Sequence, residues 1–290
     1  MIPALTLFRM CLLFIISVCL VVSAGCLSPG QDEQGEGILV AVTIPPQEEM
    51  VREIGDGRVE VLVLIPPGSD PHTYEPSPGL VARASAADLY LILGSGLFPV
   101  EDILADRLRT MNPALVVVNT SRGVDYLGTG ERRDPHVWLS LRNARIMAGT
   151  TRDALILADP EYEEMYRDNA DRYMARIDAL DRNISAEFLR KDPGMILVTH
   201  EAWDYFARDY GLSIASIEQE GKEPTAKDLE ALIMLAKEHG VTVVFSEAQE
   251  DRREAQAIAD EIGASVMVID PLDPDYLGNM ERIATVFAGS

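Results

Sequence analysis

Three of the four histidines in this 290-residue chain stand where loops leave apolar runs, in surroundings that suit metal ligation. His72 lies in Pro66-Pro67-Gly68-Ser69-Asp70-Pro71-His72-Thr73-Tyr74-Glu75-Pro76, directly after a strand-like run ending at Ile65, in a stretch too rich in Pro and Gly to be helix or strand. His136 lies in Asp134-Pro135-His136-Val137-Trp138, and His200 follows the run 195–199. In each Asp-Pro-His unit proline fixes the backbone ahead of the imidazole, and the aspartate is placed to orient the ring. Ligands of open α/β sheets bind beyond the carboxyl ends of the strands; His72, His200, Glu247 and Asp270 all follow predicted strands in that sense. His136 is the exception, because the loop before it is long. A lone histidine on such a loop is commonly structural, and it is the recurrence that points to ligation. Three neutral imidazoles and one carboxylate make a four-coordinate nitrogen and oxygen shell. Such a shell favours zinc over manganese, which takes more oxygen donors.

Other groups have simpler readings. His239 falls at the end of a predicted helix and meets its dipole, a structural role. Glu247 is open between ligand, support for a ligand, and a carboxylate at a helix start. Trp138 and Trp203 are expected as hydrophobic walls of a cleft. Gly94-Ser95-Gly96 after a strand hints at a phosphate loop, but neither the full dinucleotide fingerprint nor a phosphate-loop lysine follows.

The elements that must position these residues alternate in an α/β pattern. Runs 39–43, 59–65, 89–93 and 116–119 read as buried strands, with helices at 47–54, 80–86 and 100–109 between them. The same grammar returns with strands at 195–199, 213–217, 241–246 and 265–269 and helices at 202–209, 225–238, 252–262 and 276–287. The fold class is therefore α/β, two lobes with mainly parallel sheets. Residues 38–158 form the N-terminal lobe and 192–290 the C-terminal lobe. Between them, 159–191 predicts a long linking helix whose polar face is laced with ion pairs. A rigid helix of this kind resists wide hinge closure, so any rearrangement is expected to be local to the cleft.

Arg9 precedes an apolar run, 11–24, too short to span a bilayer comfortably, and residues 1–25 read as a signal peptide. The following Ser23-Ala24-Gly25-Cys26 resembles the lipobox of prokaryotic lipoproteins, with Ser23 where leucine is usual; it implies lipidation at Cys26. The alternative is an uncleaved amino-terminal anchor; in both cases the body lies outside the cytoplasmic membrane. Residues 26–37 are rich in Ser, Pro, Gly, Gln and acids and form a flexible tether. Cys11 and Cys19 fall in the segment to be removed, which leaves the body without disulfides or thiolate ligands. A formal net charge of −22 speaks against nucleic-acid partners.

Taken in order, Pro67-Gly68-Ser69-Asp70-Pro71-His72-Thr73-Tyr74-Glu75-Pro76, Asp134-Pro135-His136-Val137-Trp138-Leu139, Val198-Thr199-His200-Glu201-Ala202-Trp203-Asp204-Tyr205-Phe206, Tyr210-Gly211-Leu212, Phe245-Ser246-Glu247 and Asp270-Pro271-Leu272 resemble the metal-binding lipoproteins. These are the cluster A-I zinc/manganese solute-binding proteins of ABC transporters, and the likeness covers nearly the whole mature chain. It implies a monomer of two lobes joined by a rigid helix, a metal ion in the cleft, and delivery to an ABC transporter permease, without catalysis. Its ligand pattern maps onto His72, His136, His200 and Asp270. Members resembling manganese carriers often have Glu where this chain has His200, which leans the expectation to zinc. Segment 122–134 departs from the pattern in lacking the His-rich loop of many zinc members.

Two other functions predict different things. A secreted zinc hydrolase would leave a coordination position open for water, with Glu201 or Glu247 as base; no His-Glu-x-x-His pair occurs, and a ligand at Asp270 would close that position. A surface adhesin with a structural metal would lose its fold on chelation.

Overall fold

Strands buried on both faces organise each half of the chain. In the computed structural model the described residues are 37–290 without 97, 131–132 and 219–223; the signal segment 1–25, Cys26 and all but the last residue of the tether lie outside them. The first sheet contains β1 (Ile38–Val42), β2 (Val59–Val63), β3 (Leu89–Ile92) and β4 (Val116–Asn119), in the order β2-β1-β3-β4. The second contains β5 (Met195–Val198), β6 (Ser213–Ser216), β7 (Val243–Glu247) and β8 (Ser265–Ile269), in the order β6-β5-β7-β8. All six strand pairings are parallel. The central strands read as unbroken apolar runs, ILVAV in β1 and MILV in β5, because helices cover both of their faces. In both sheets the strand order reverses at the first strand, β1 or β5, which opens a crevice at the carboxyl ends there.

The helices are α1 (Pro45–Gly55), α2 (Pro78–Ala84), α3 (Pro99–Met111), α4 (Leu141–Ala158), α5 (Glu163–Arg190), α6 (Asp204–Tyr210), α7 (Ala226–Glu238), α8 (Arg252–Ile262) and α9 (Tyr276–Phe287). Their ends follow local chemistry. Ser140 accepts the Asn143 N–H at the start of α4, Thr225 and Asp228 form a reciprocal capping box on α7, and Pro45-Pro46 opens α1. Gly211 and Gly263, both left-handed, end α6 and α8.

The linking helix differs in detail from the sequence expectation. It begins at Glu163 and not at 159, because a short 3-10 turn, Pro160–Tyr162, intervenes. The Asp159 carboxylate accepts from Arg58 at 3.0 Å and from the Tyr166 hydroxyl at 2.9 Å. The 28 residues of α5 extend about 42 Å. Tyr166, Ala170, Tyr173, Met174, Ile177 and Ile184 make its buried stripe. Its polar side carries Arg167–Glu163, Arg176–Glu53 and Arg145–Asp178 pairs, the last two reaching α1 and α4.

Side-chain alternation sends Val40 and Val42, and likewise Ile196 and Val198, into one apolar core that both sheets share with α4, α5 and α9. Ala41 and Leu197 face separate outer cores. The halves are thus joined by packing as well as by the chain. We expect one cooperative unfolding transition in denaturant, which Ile177→Ala shifts to lower stability by about 2–5 kcal/mol without splitting it. Two separated transitions for the unaltered protein would show that the halves fold independently.

Candidate metal centre

His72 follows β2, His136 ends the long loop after β4, and His200 follows β5; the structure brings all three together. Their ring centroids lie 5.1–5.5 Å apart, and one nitrogen from each falls within 4.8 Å of the others. Nε2 of His136 and Nε2 of His200 are 3.3 Å apart. A tetrahedron with Zn–N bonds of about 2.0–2.1 Å has edges of about 3.3–3.4 Å, so this pair already stands at the separation of two zinc ligands.

The other ring nitrogens explain why Nε2 points inward. His136 Nδ1 meets Asp134 Oδ1 at 2.8 Å, and the same oxygen accepts the His136 backbone N–H at 2.8 Å. His200 Nδ1 meets Glu218 Oε2 at 2.9 Å. A carboxylate on Nδ1 holds the proton there and leaves the lone pair on Nε2 for a metal. Asp70 differs from Asp134: it accepts the His72 backbone N–H at 2.8 Å and the Thr73 hydroxyl at 2.8 Å, so it shapes the loop and does not touch the ring. His72 is the solvent-facing member, set against Phe98 with centroids 5.2 Å apart, whereas His136 is 5% exposed.

The three imidazoles titrate differently. Crowding by protein and by the two other rings lowers His72 to about 4. Burial lowers His136 despite Asp134. His200 is raised: burial opposes its charged form, but Glu247, Glu218 and Glu250 together outweigh burial. Burial is also the main reason Glu247 is pushed up to about 8, with His200 acting in the opposite direction.

Glu247 is the last residue of β7, paired with Ile269, and α8 begins only at Arg252, so it is not a helix-start carboxylate. Trp203 Nε1 donates to its Oε1 at 3.0 Å. Trp203 is therefore not a wall of the cleft as expected; its ring packs against Phe206 and Phe287 in the C-terminal core, and its N–H anchors Glu247. Trp138 does stand beside His136, with centroids 5.4 Å apart, and its Nε1 donates to the Pro271 carbonyl at 2.8 Å. Asp270 directly follows β8 but belongs to neither ligand cluster among the described residues. Its Oδ1 accepts from Gln249 Nε2 at 2.7 Å and from the Leu272 N–H at 2.8 Å, the same local turn that the two Asp-Pro-His units make. His239 caps the end of α7, as its sequence position implies.

Glu218 and Glu250 were not anticipated. Glu218 follows β6 as His200 follows β5, so the strand-end rule applied to every strand would have found it. Gly94-Ser95-Gly96 also has its explanation: Glu101 of α3 accepts the Leu93 and Gly94 N–H groups at 2.6 and 2.9 Å, so an internal carboxylate takes the loop's donors. Gly94 has φ 71°, and an added Cβ would lie 2.1 Å from the Asn119 side chain.

The family model of ZnuA, zinc-uptake complex component A, periplasmic, matches residues 40–289. The high-affinity zinc uptake system protein ZnuA of Bacillus subtilis (strain 168) is 28% identical over 284 residues, 90% of this chain and 88% of that protein. The manganese ABC transporter substrate-binding lipoprotein PsaA of Streptococcus mitis is 27% identical over 263 residues, 85% of this chain and 84% of that protein. A crystal structure of ZnuA superposes with a TM-score of 0.84 at 35% identity, covering 88% of this chain and 99% of that one. With all three clustered histidines and nearly all of both sheets inside the matched residues, the chain belongs to the ZnuA family of metal-binding solute-binding proteins of ABC transporters.

Proposed function

We propose that this protein is an extracytoplasmic solute-binding protein that captures a divalent transition metal, zinc in preference to manganese, and delivers it to an ABC transporter permease. The observation that carries this reading is the 3.3 Å separation of the His136 and His200 Nε2 atoms, each ring held by a carboxylate on Nδ1, with His72 alongside. His72, His136 and His200 supply three nitrogens, and Asp270, whose Oδ1 is engaged, supplies the fourth donor through Oδ2. Relatives are named for zinc and for manganese; three nitrogen donors support the zinc choice here. The protein works as a monomer tethered to the outer face of the cytoplasmic membrane through Cys26. Among the described residues no helix is long and apolar enough to cross a membrane.

A hydrolase is the weaker reading. Glu247, a candidate base for it, already has Oε1 engaged by the Trp203 N–H, and no His-Glu-x-x-His pair occurs in the chain.

Competition titration with zinc and manganese should give one tight site that prefers zinc. His200→Ala should weaken zinc by more than roughly 100-fold, beyond the loss that removing an outer partner brings, and Asp270→Asn should weaken it less. A preference for manganese, or a His200→Ala protein that binds as the parent does, would overturn the assignment.

Zinc binding should also release protons. His200 and Glu247 are the members of the site that hold protons to higher pH, since their pKa values are raised, and an incoming cation displaces them. His72 and His136 are lowered, so they contribute less. Affinity therefore falls as pH drops from 8 to 6. Calorimetry in two buffers of different ionisation enthalpy checks this; identical apparent enthalpies at pH 6.5 would contradict it.

A further inference from the structure

A second ligand set shares His200 with the first. A ring nitrogen of His200 and one oxygen each from Glu218 and Glu250 lie within 4.8 Å of one another. His200 Nδ1 is 2.9 Å from Glu218 Oε2 and 3.8 Å from Glu250 Oε1. Three neighbouring strands deliver these groups: His200 follows β5, Glu218 follows β6 and Glu250 follows β7. The set lies on the Nδ1 side of the ring, opposite the nitrogen that faces His136. It is also wetter than the buried member of the first set: the side chains of His200, Glu218 and Glu250 are 17%, 31% and 26% exposed, against 6% for His136.

We propose that Glu218, Glu250 and Nδ1 of His200 form a second, weaker divalent-cation position, a transit site from which an ion passes to the three-histidine set. The inference rests on the reading of His72, His136 and His200 as the principal site. Two carboxylates and one imidazole make a mixed oxygen and nitrogen set that accepts zinc or manganese, with water filling the remaining positions. A neutral imidazole has one lone pair. One His200 ring therefore serves one position at a time, and the two positions hold a single ion between them. On transfer Nδ1 releases the ion and takes a proton, which Glu218 then accepts as a hydrogen bond. Nε2 gives its proton to water and takes the ion, so the ring's proton count is unchanged. Glu218 thus has two tasks, ligand before transfer and support for the ring after it.

The test removes the inner set and keeps the outer one. In the double variant His72→Ala/His136→Ala, calorimetric titration with zinc chloride should show one site, at least about 100-fold weaker than in the unaltered protein. Adding Glu218→Gln and Glu250→Gln to that variant should abolish it. All forms are checked by circular dichroism for an intact fold. A folded double variant that binds no zinc, or zinc binding that survives both glutamine substitutions, overturns the transit site. Failure of the unaltered protein to bind zinc tightly would instead overturn the three-histidine reading, so the two failures are distinguishable.

Discussion

The separation of two nitrogen atoms, His136 Nε2 and His200 Nε2, sets the demand that the rest of the molecule meets. The residues are 64 positions apart and stand on different lobes, and if they ligate zinc as proposed, their lone pairs have to stay within a few tenths of an ångström of this spacing. A single core shared by both sheets meets that demand, reinforced by polar ties between lobes that cluster around the His136 loop. Tyr205 accepts the Leu127 N–H and donates to the Asp134 carbonyl; Trp138 reaches Pro271, and Tyr276 donates to the Trp138 carbonyl. Each bond joins the loop that presents His136 to the lobe that presents His200. Packing places the lobes, and these bonds place the loop.

The second demand is electrostatic. Packing three imidazoles together is easy only while they stay neutral, and the site achieves this unevenly. His136 is kept neutral by burial and His72 by crowding, whereas His200 faces three glutamates that favour its charged form. The excess negative charge lies on the C-terminal side of the cluster, where Glu218 and Glu250 are partly open to water. A cation approaching from there meets carboxylates before imidazoles. The chain's charge of −22 cannot by itself say this, because net charge carries no position.

Much of this was legible in the sequence, and the failures have physical causes. β4 and β8 match their predicted bounds to the residue because VVVN and SVMVI are β-branched and apolar runs, although as edge strands they are only partly buried. The strand-end rule places His200 and Asp270, and it places Glu218 equally once it is applied to the predicted strand 213–217. Trp203 was misassigned because its hydrogen bond to Glu247 spans 44 residues and leaves no local trace. The linking helix begins at Glu163 and not at 159, and Arg58, 101 residues away, holds the Asp159 carboxylate ahead of it. Local chemistry is written in local sequence, and long-range partners are not.

The mechanical consequence concerns where an ion enters and leaves. The long α5 is fixed to α1 and α4 of the N-terminal lobe by Ile177 and its neighbours and by the Arg176–Glu53 and Arg145–Asp178 pairs, and it packs in the core that both sheets share. His136 is sealed by Trp138 and tied at its backbone and Nδ1 to one aspartate oxygen, so it is the member least free to move. His72 sits on a proline-stiffened loop at the surface, touching Phe98 and the other two rings. On the proposed reading, exchange with water runs past the exposed His72 side or the partly open Glu218–Glu250 side, and not through the buried His136. On that reading, one fixed ligand between two accessible flanks lets an ion exchange through movement of the His72 loop, with no opening of the lobes required.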